Sequence, residues 1–113
     1  MQFEHRKEAE VLILKVKDKR LDATKAVPFK EKMSEFINAG NKLIVLNLSE
    51  VDFIDSSGLG AIVSALKKVG REGDIVICNS KDPVKTLFKL TRMDKVFRLF
   101  ETEEEAIKEI SKF

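Results

Sequence analysis

Tryptophan and tyrosine are missing from this chain, and cysteine and histidine each occur once. A lone thiol, Cys78, can close no internal disulfide and build no cysteine metal cluster. A lone imidazole, His5, would have to serve as the sole base of any nucleophilic triad. Long apolar runs are also missing. None exceeds the scale of Val11–Leu14 or Leu43–Leu46, against the ~20 residues that cross a bilayer, so no membrane association is expected. Met1–Arg6 is charged early and lacks the apolar stretch of a signal peptide, which points to the cytoplasm. Lysine and arginine outnumber aspartate and glutamate by only 21 to 19, with the signs interspersed. A direct nucleic-acid contact would need a concentrated basic face and is not expected. No repeat, low-complexity tract or linker interrupts the 113 residues, so residues 1–113 read as a single domain with one core.

What is present is a well-punctuated alternation of strand and helix patterns. Phe3–His5 and Val11–Val16 read as a hairpin around a polar Arg6–Glu10 turn. Asp22-Ala23-Thr24 offers capping side chains before Phe29, Met33, Phe36 and Ile37, which lie at helical spacing up to Gly40; Pro28 is expected in the first turn. Lys42–Leu48 is nearly all apolar, as a central strand covered on both faces would be. Val51–Ile54 can add a short extended piece. From the serines at 56 and 57 onward, Leu59, Ile62, Val63, Leu66 and Val69 predict a helix ending at Gly70, and Asp74–Cys78 predicts a second buried strand. Asp82-Pro83 reads as a cap and a first-turn proline, before a helix with Val84, Leu87, Phe88 and Leu90 inward. Val96–Phe100 reads as the last strand, and Thr102-Glu103-Glu104-Glu105 as a capping box opening a final helix with Ala106, Ile107 and Ile110. Helices between strands imply parallel crossovers. The fold class is therefore α/β: a mixed, mostly parallel sheet of four to five strands with about four helices.

The chemistry concentrates in Val51–Gly60. A strand end, two hydroxyls and a helix start place serine side chains at the carboxyl edge of a parallel sheet, where α/β proteins bind ligands. Gly58 and Gly60 remove side chains that would shield this loop. The other reading is that Ser56 or Ser57 only caps the helix. A nucleophile elbow would need glycine two residues before the serine, but Ile54 and Asp55 stand there. A P-loop needs Gly-Lys-Ser/Thr, and no lysine falls between Lys42 and Lys67. Asp52 and Asp55 could share a proton or a metal, yet with no histidine or cysteine nearby a structural or partner-contacting role is expected. Cys78, closing a buried strand, reads as a small core residue. No enzyme activity, cofactor or metal is expected.

Asp-Phe-Ile-Asp-Ser-Ser-Gly-Leu-Gly at 52–60 resembles the signature of STAS-domain anti-sigma factor antagonists. Leu21-Asp22-Ala23, Leu43–Leu48 and Val84–Thr91 resemble the family's early loop, central strand and third helix, so the likeness runs through nearly the whole chain. It implies a STAS-like domain whose Ser56 is phosphorylated by a partner serine kinase that is also an anti-sigma factor, with a PP2C-type phosphatase reversing the change. It implies too that the unmodified form binds the kinase and frees a sigma factor, and that Asp22, Asp55, Ser57 and Gly58 line the same surface. The free protein is expected to be a monomer. Where the family has a glycine before its Leu-Asp pair, this chain has Lys19 and Arg20, so that loop can be shaped and charged differently. Other outputs within the family, such as control of diguanylate cyclases, biofilm pathways or secretion, and small-ligand binding stand as alternatives.

Overall fold

A computed structural model describes all of residues 1–113. Ala9, held at a φ of 53°, and Glu10 turn β1 (Phe3–Glu8) back onto β2 (Val11–Val16), with Glu8 opposite Val11 and Phe3 opposite Val16. The first strand runs past His5 because Arg6, Lys7 and Glu8 lie on an exposed sheet edge, where the backbone can pair while charged side chains remain in water.

The chain continues through β3 (Arg20–Leu21), α1 (Ala23–Asn38), β4 (Leu43–Asn47), β5 (Phe53–Ile54), α2 (Ser56–Val69), β6 (Asp74–Cys78), α3 (Asp82–Leu90), β7 (Leu99–Phe100) and α4 (Glu103–Ile110). Five strands form one sheet in the order β1-β2-β4-β6-β7, in which only the β1–β2 pair is antiparallel. The mixed, mostly parallel sheet and four helices expected from sequence are thus observed. The two-residue strands β3 and β5 pair separately, in parallel.

Alternation explains why β4 reads as continuously apolar. Ile44 and Leu46 enter the main core with Phe29 and Met33 of α1 and Leu59 and Ile62 of α2, whereas Val45 faces Ala106 and Ile110 of α4 on the sheet's other side. A strand buried on both faces has no polar positions to betray its period.

Local details depart from the sequence reading. Pro28 is the sixth residue of α1, not a first-turn residue, because Asp22 caps the helix well upstream. Lys81 is the N-cap of α3, so Asp82 and Pro83 lie inside the helix, and no side chain supplies the cap. Leu90 does not face inward: it is 77% exposed, while Val84 and Phe88 carry the buried face. Of Val96–Phe100 only Leu99–Phe100 is strand, since Arg92 at a φ of 61° starts a 3-10 turn over Met93–Lys95. Phe97 then packs edge-on against Phe88 at 6.1 Å in the core instead of joining a ladder.

Candidate functional site

Two very short strands build the site. Arg20 stands opposite Phe53 and Leu21 opposite Ile54, so β3 and β5 deliver the starts of α1 and α2 side by side. Each helix begins on an aspartate. Asp22 accepts at Oδ1 from the Thr24 amide (3.1 Å) and hydroxyl (2.6 Å), and at Oδ2 from Arg20 Nε (3.2 Å). The Thr24 hydroxyl first, and then Arg20, hold its carboxyl below the usual range. Asp55 does more. Its Oδ1 accepts from the Gly58 amide at 2.9 Å and its Oδ2 from the Ala23 amide at 3.2 Å, so one carboxylate caps its own helix and ties down the start of the other.

With Asp55 as the cap, the serines are released from that task. Ser56 and Ser57 are the first two residues of α2, both exposed, and neither hydroxyl hydrogen-bonds within the chain. The capping alternative for these serines is therefore corrected in favour of Asp55. Gly58 is buried, and a Cβ built there would fall 2.0 Å from the Leu21 carbonyl oxygen. The close approach that Gly58 permits is that of the chain's own β3. Gly60, by contrast, is exposed and has open space where its side chain would be.

The two carboxylates proposed as a pair take separate partners. Asp52 forms an ion pair with Lys81, which lowers its pKa, while Asp55 is committed to the helix caps. Arg20, at a position where the resembled family has glycine nearby, lies 4.3 Å over the half-exposed Phe53 ring. Sequence reasoning missed Lys81 as a neighbour of the loop and the stacking of Arg20 on Phe53. No local signal singled out Asp55 as the cap, since aspartate and serine both cap well.

Residues elsewhere have other surroundings. His5 stacks edge-on against Phe36 at 5.2 Å on the outer strand. Cys78 is fully buried, and burial pushes its thiol up to about 12, far from a reactive thiolate. The largest surface depression, of about 610 Å3, is lined by Glu4, His5, Arg6, Ile13, Lys15 and Glu103 and includes no residue of the serine loop.

This architecture is that of a STAS domain, and the STAS domain description matches residues 2–106. A Thermotoga maritima protein described as a candidate anti-sigma factor antagonist is 32% identical over 101 residues, covering 88% of this chain and 89% of that one. SpoIIAA, an anti-sigma factor antagonist, shares the fold in its unphosphorylated form, with a TM-score of 0.80, 23% identity and coverage of 99% and 98%. Phosphorylated SpoIIAA from Bacillus gives a TM-score of 0.71, with 22% identity and coverage of 96% and 99%. The chain belongs to the STAS-domain family of anti-sigma factor antagonists.

Proposed function

We propose that this protein works as the phosphorylatable member of a partner switch. Unmodified, it docks on a serine kinase that doubles as an anti-sigma factor and so frees a sigma factor. The kinase phosphorylates Ser56 and docking is lost; a PP2C-type phosphatase restores it. The observation that carries this reading is the state of Ser56: exposed, free of internal hydrogen bonds and relieved of capping by Asp55. The phosphorylated form of SpoIIAA, a protein of the same fold, is consistent with it.

In this reading Asp22, Asp55, Ser56 and Ser57 form the docking surface, and Gly58 shapes it from beneath by letting Leu21 approach. A phosphate adds a charge of about −1.5 to −2 and three acceptor oxygens. The first amides of α2 are oriented towards such an anion, so the fold tolerates it. An interface does not. Burying an anion without a matched partner costs several kcal/mol, and each ~1.4 kcal/mol is tenfold in affinity, so docking fails without any rearrangement. The protein acts here by occupying a surface, not by turning over a substrate.

The test is substitution at Ser56 with the kinase in hand. Ser56→Asp is expected to weaken kinase binding at least tenfold by calorimetry while leaving the circular dichroism spectrum native. Ser56→Ala is expected to bind constitutively and accept no phosphate. Unchanged affinity of Ser56→Asp, or phosphate located on Ser57 by mass spectrometry, would overturn the assignment.

A further inference from the structure

On α2, residues four apart share a face, so Ser56, Gly60, Ser64 and Lys68 follow one another along a single stripe. At 1.5 Å per residue, Ser64 lies about 12 Å from Ser56. There the stripe opens into a cleft of about 150 Å3 between α1 and α2, lined by Lys30, Ser34, Ser64, Ala65 and Lys68. Its chemistry differs from that of the other principal depressions. Each of those has at least one glutamate in its wall, but this one has two lysines, two serines and no carboxylate. Neither Lys30 nor Lys68 forms an ion pair, and neither serine hydroxyl has an internal partner, whereas Lys25 and Lys32 of α1 pair with Asp18 and Glu35. The whole of α2 carries no acidic residue. Its Lys67 and Lys68 sit in the last turn, where cations also favour the helix dipole, but Lys30 lies in the middle of α1, where that explanation does not reach. Between the cleft and the serine loop the surface offers bare backbone at Gly60, and Val27, one turn before Lys30, is 60% exposed.

We propose that the α1–α2 cleft is the second half of the docking surface and receives an acidic segment of the protein partner that reads Ser56. This rests on the switch reading above and specifies the partner's chemistry. A spacing of about 12 Å falls well within the ~800 Å2 that one side of an ordinary interface covers. Charge complementarity selects the occupant, because unpaired ammonium groups beside free hydroxyls suit carboxylates. At about 12 Å, beyond the Debye length of ~8 Å at physiological salt, the cleft adds to affinity and on-rate while the charge at Ser56 acts locally on the loop's own contacts.

The experiment compares Lys30→Glu/Lys68→Glu with Lys7→Glu/Lys108→Glu, which makes the same charge change on exposed lysines of β1 and α4. The first probe is a hexaglutamate peptide titrated into the 15N-labelled protein at low salt. Shifts are expected to concentrate at Lys30, Ser34, Ser64 and Lys68 and to vanish in the cleft variant alone; shifts spread evenly over all lysine-bearing surfaces overturn the proposal. The second probe is the purified serine kinase that modifies Ser56. The cleft variant is expected to bind it roughly tenfold more weakly, mainly through slower association and with a flatter salt dependence, while the control variant binds as wild type. Wild-type binding by the cleft variant, with Ser56→Asp still failing to bind, removes the cleft and leaves the switch. Ser56→Asp binding normally removes the switch, and with it the partner named here.

Discussion

Gly58 and Gly60 stand two residues apart in α2 under opposite constraints. Gly58→Ala places a methyl 2.0 Å from the Leu21 carbonyl oxygen and 2.8 Å from its carbon, a contact with backbone that cannot swing aside. Unfolding in urea is expected to show a loss of about 2 kcal/mol or more. Gly60→Ala meets open space in a helical position and is expected to gain up to about 1 kcal/mol. Equal effects at the two sites would mean that β3 does not press on the helix start. Asp55→Ala is a companion case. It strips acceptors from the Gly58 and Ala23 amides together and is expected to cost about 2 kcal/mol, whereas Ser56→Ala, removing a hydroxyl with no partner, is expected to stay within about 0.5 kcal/mol. The same residue shows where sequence reading ran out. Aspartate and serine are both good caps, so local pattern could not choose among positions 55, 56 and 57. The choice is made by Ala23, distant in sequence, which only a two-oxygen carboxylate can satisfy together with Gly58.

Elements were legible in proportion to their length and periodicity. α1, α2, β4 and β6 each carry enough apolar repeats to declare themselves, but β3 and β5 are two residues long and have no period to read, although they are what brings Asp22 to Asp55. In Val96–Phe100 a β-branched start suggested a strand, while the bulk of Phe97 drew that residue into the core and left the ladder only its last two positions. α4 shows how an element can depend on one ionisable group. Its first residue, Glu103, accepts from Asn47 Nδ2 at 2.6 Å and from Arg6 at 2.9 Å. Burial pushes this carboxyl up, but the Asn47 amide and the Arg6 guanidinium outweigh that and hold it below the ordinary glutamate range. A depressed carboxylate pKa contributes stability that is complete above the unfolded value and is lost as pH falls through the folded one. Acidification from about pH 5 towards 3 is therefore expected to lower the amide protection factors of α4, exchange being referred to the intrinsic rate at each pH, before those of the central strands, and Glu103→Gln should flatten that pH dependence. Simultaneous loss of α4 and β4 would show that this contact does not govern the docking of α4.

At the scale of the molecule, the sheet divides the single core expected from chain length into two unequal ones. α1, α2 and α3 cover the larger, and α4 alone covers the smaller. This layering could be read from continuous apolar strands between helices; the assignment of three helices to one face could not, because strands buried on both faces do not reveal which side each helix takes. The serine loop lies over the larger core. Leu21 and Val51 are fully buried beneath it, and Ile54 and Leu59 are nearly so, so its backbone is anchored on both sides of Ser56. An anchored loop with an exposed hydroxyl can change charge without changing shape. Ser56-phosphorylated protein is accordingly expected to keep its amide protection across α1 and α2. Its melting temperature should lie within about 2 °C of the unmodified form, the shift that some 0.5 kcal/mol produces in a domain of this size. If phosphorylation instead unravelled the start of α1, protection at Ala23 and Thr24 would fall first, because Asp55 and Asp22 hold those amides. The switch would then be a local order-to-disorder transition, not an electrostatic block on a rigid surface.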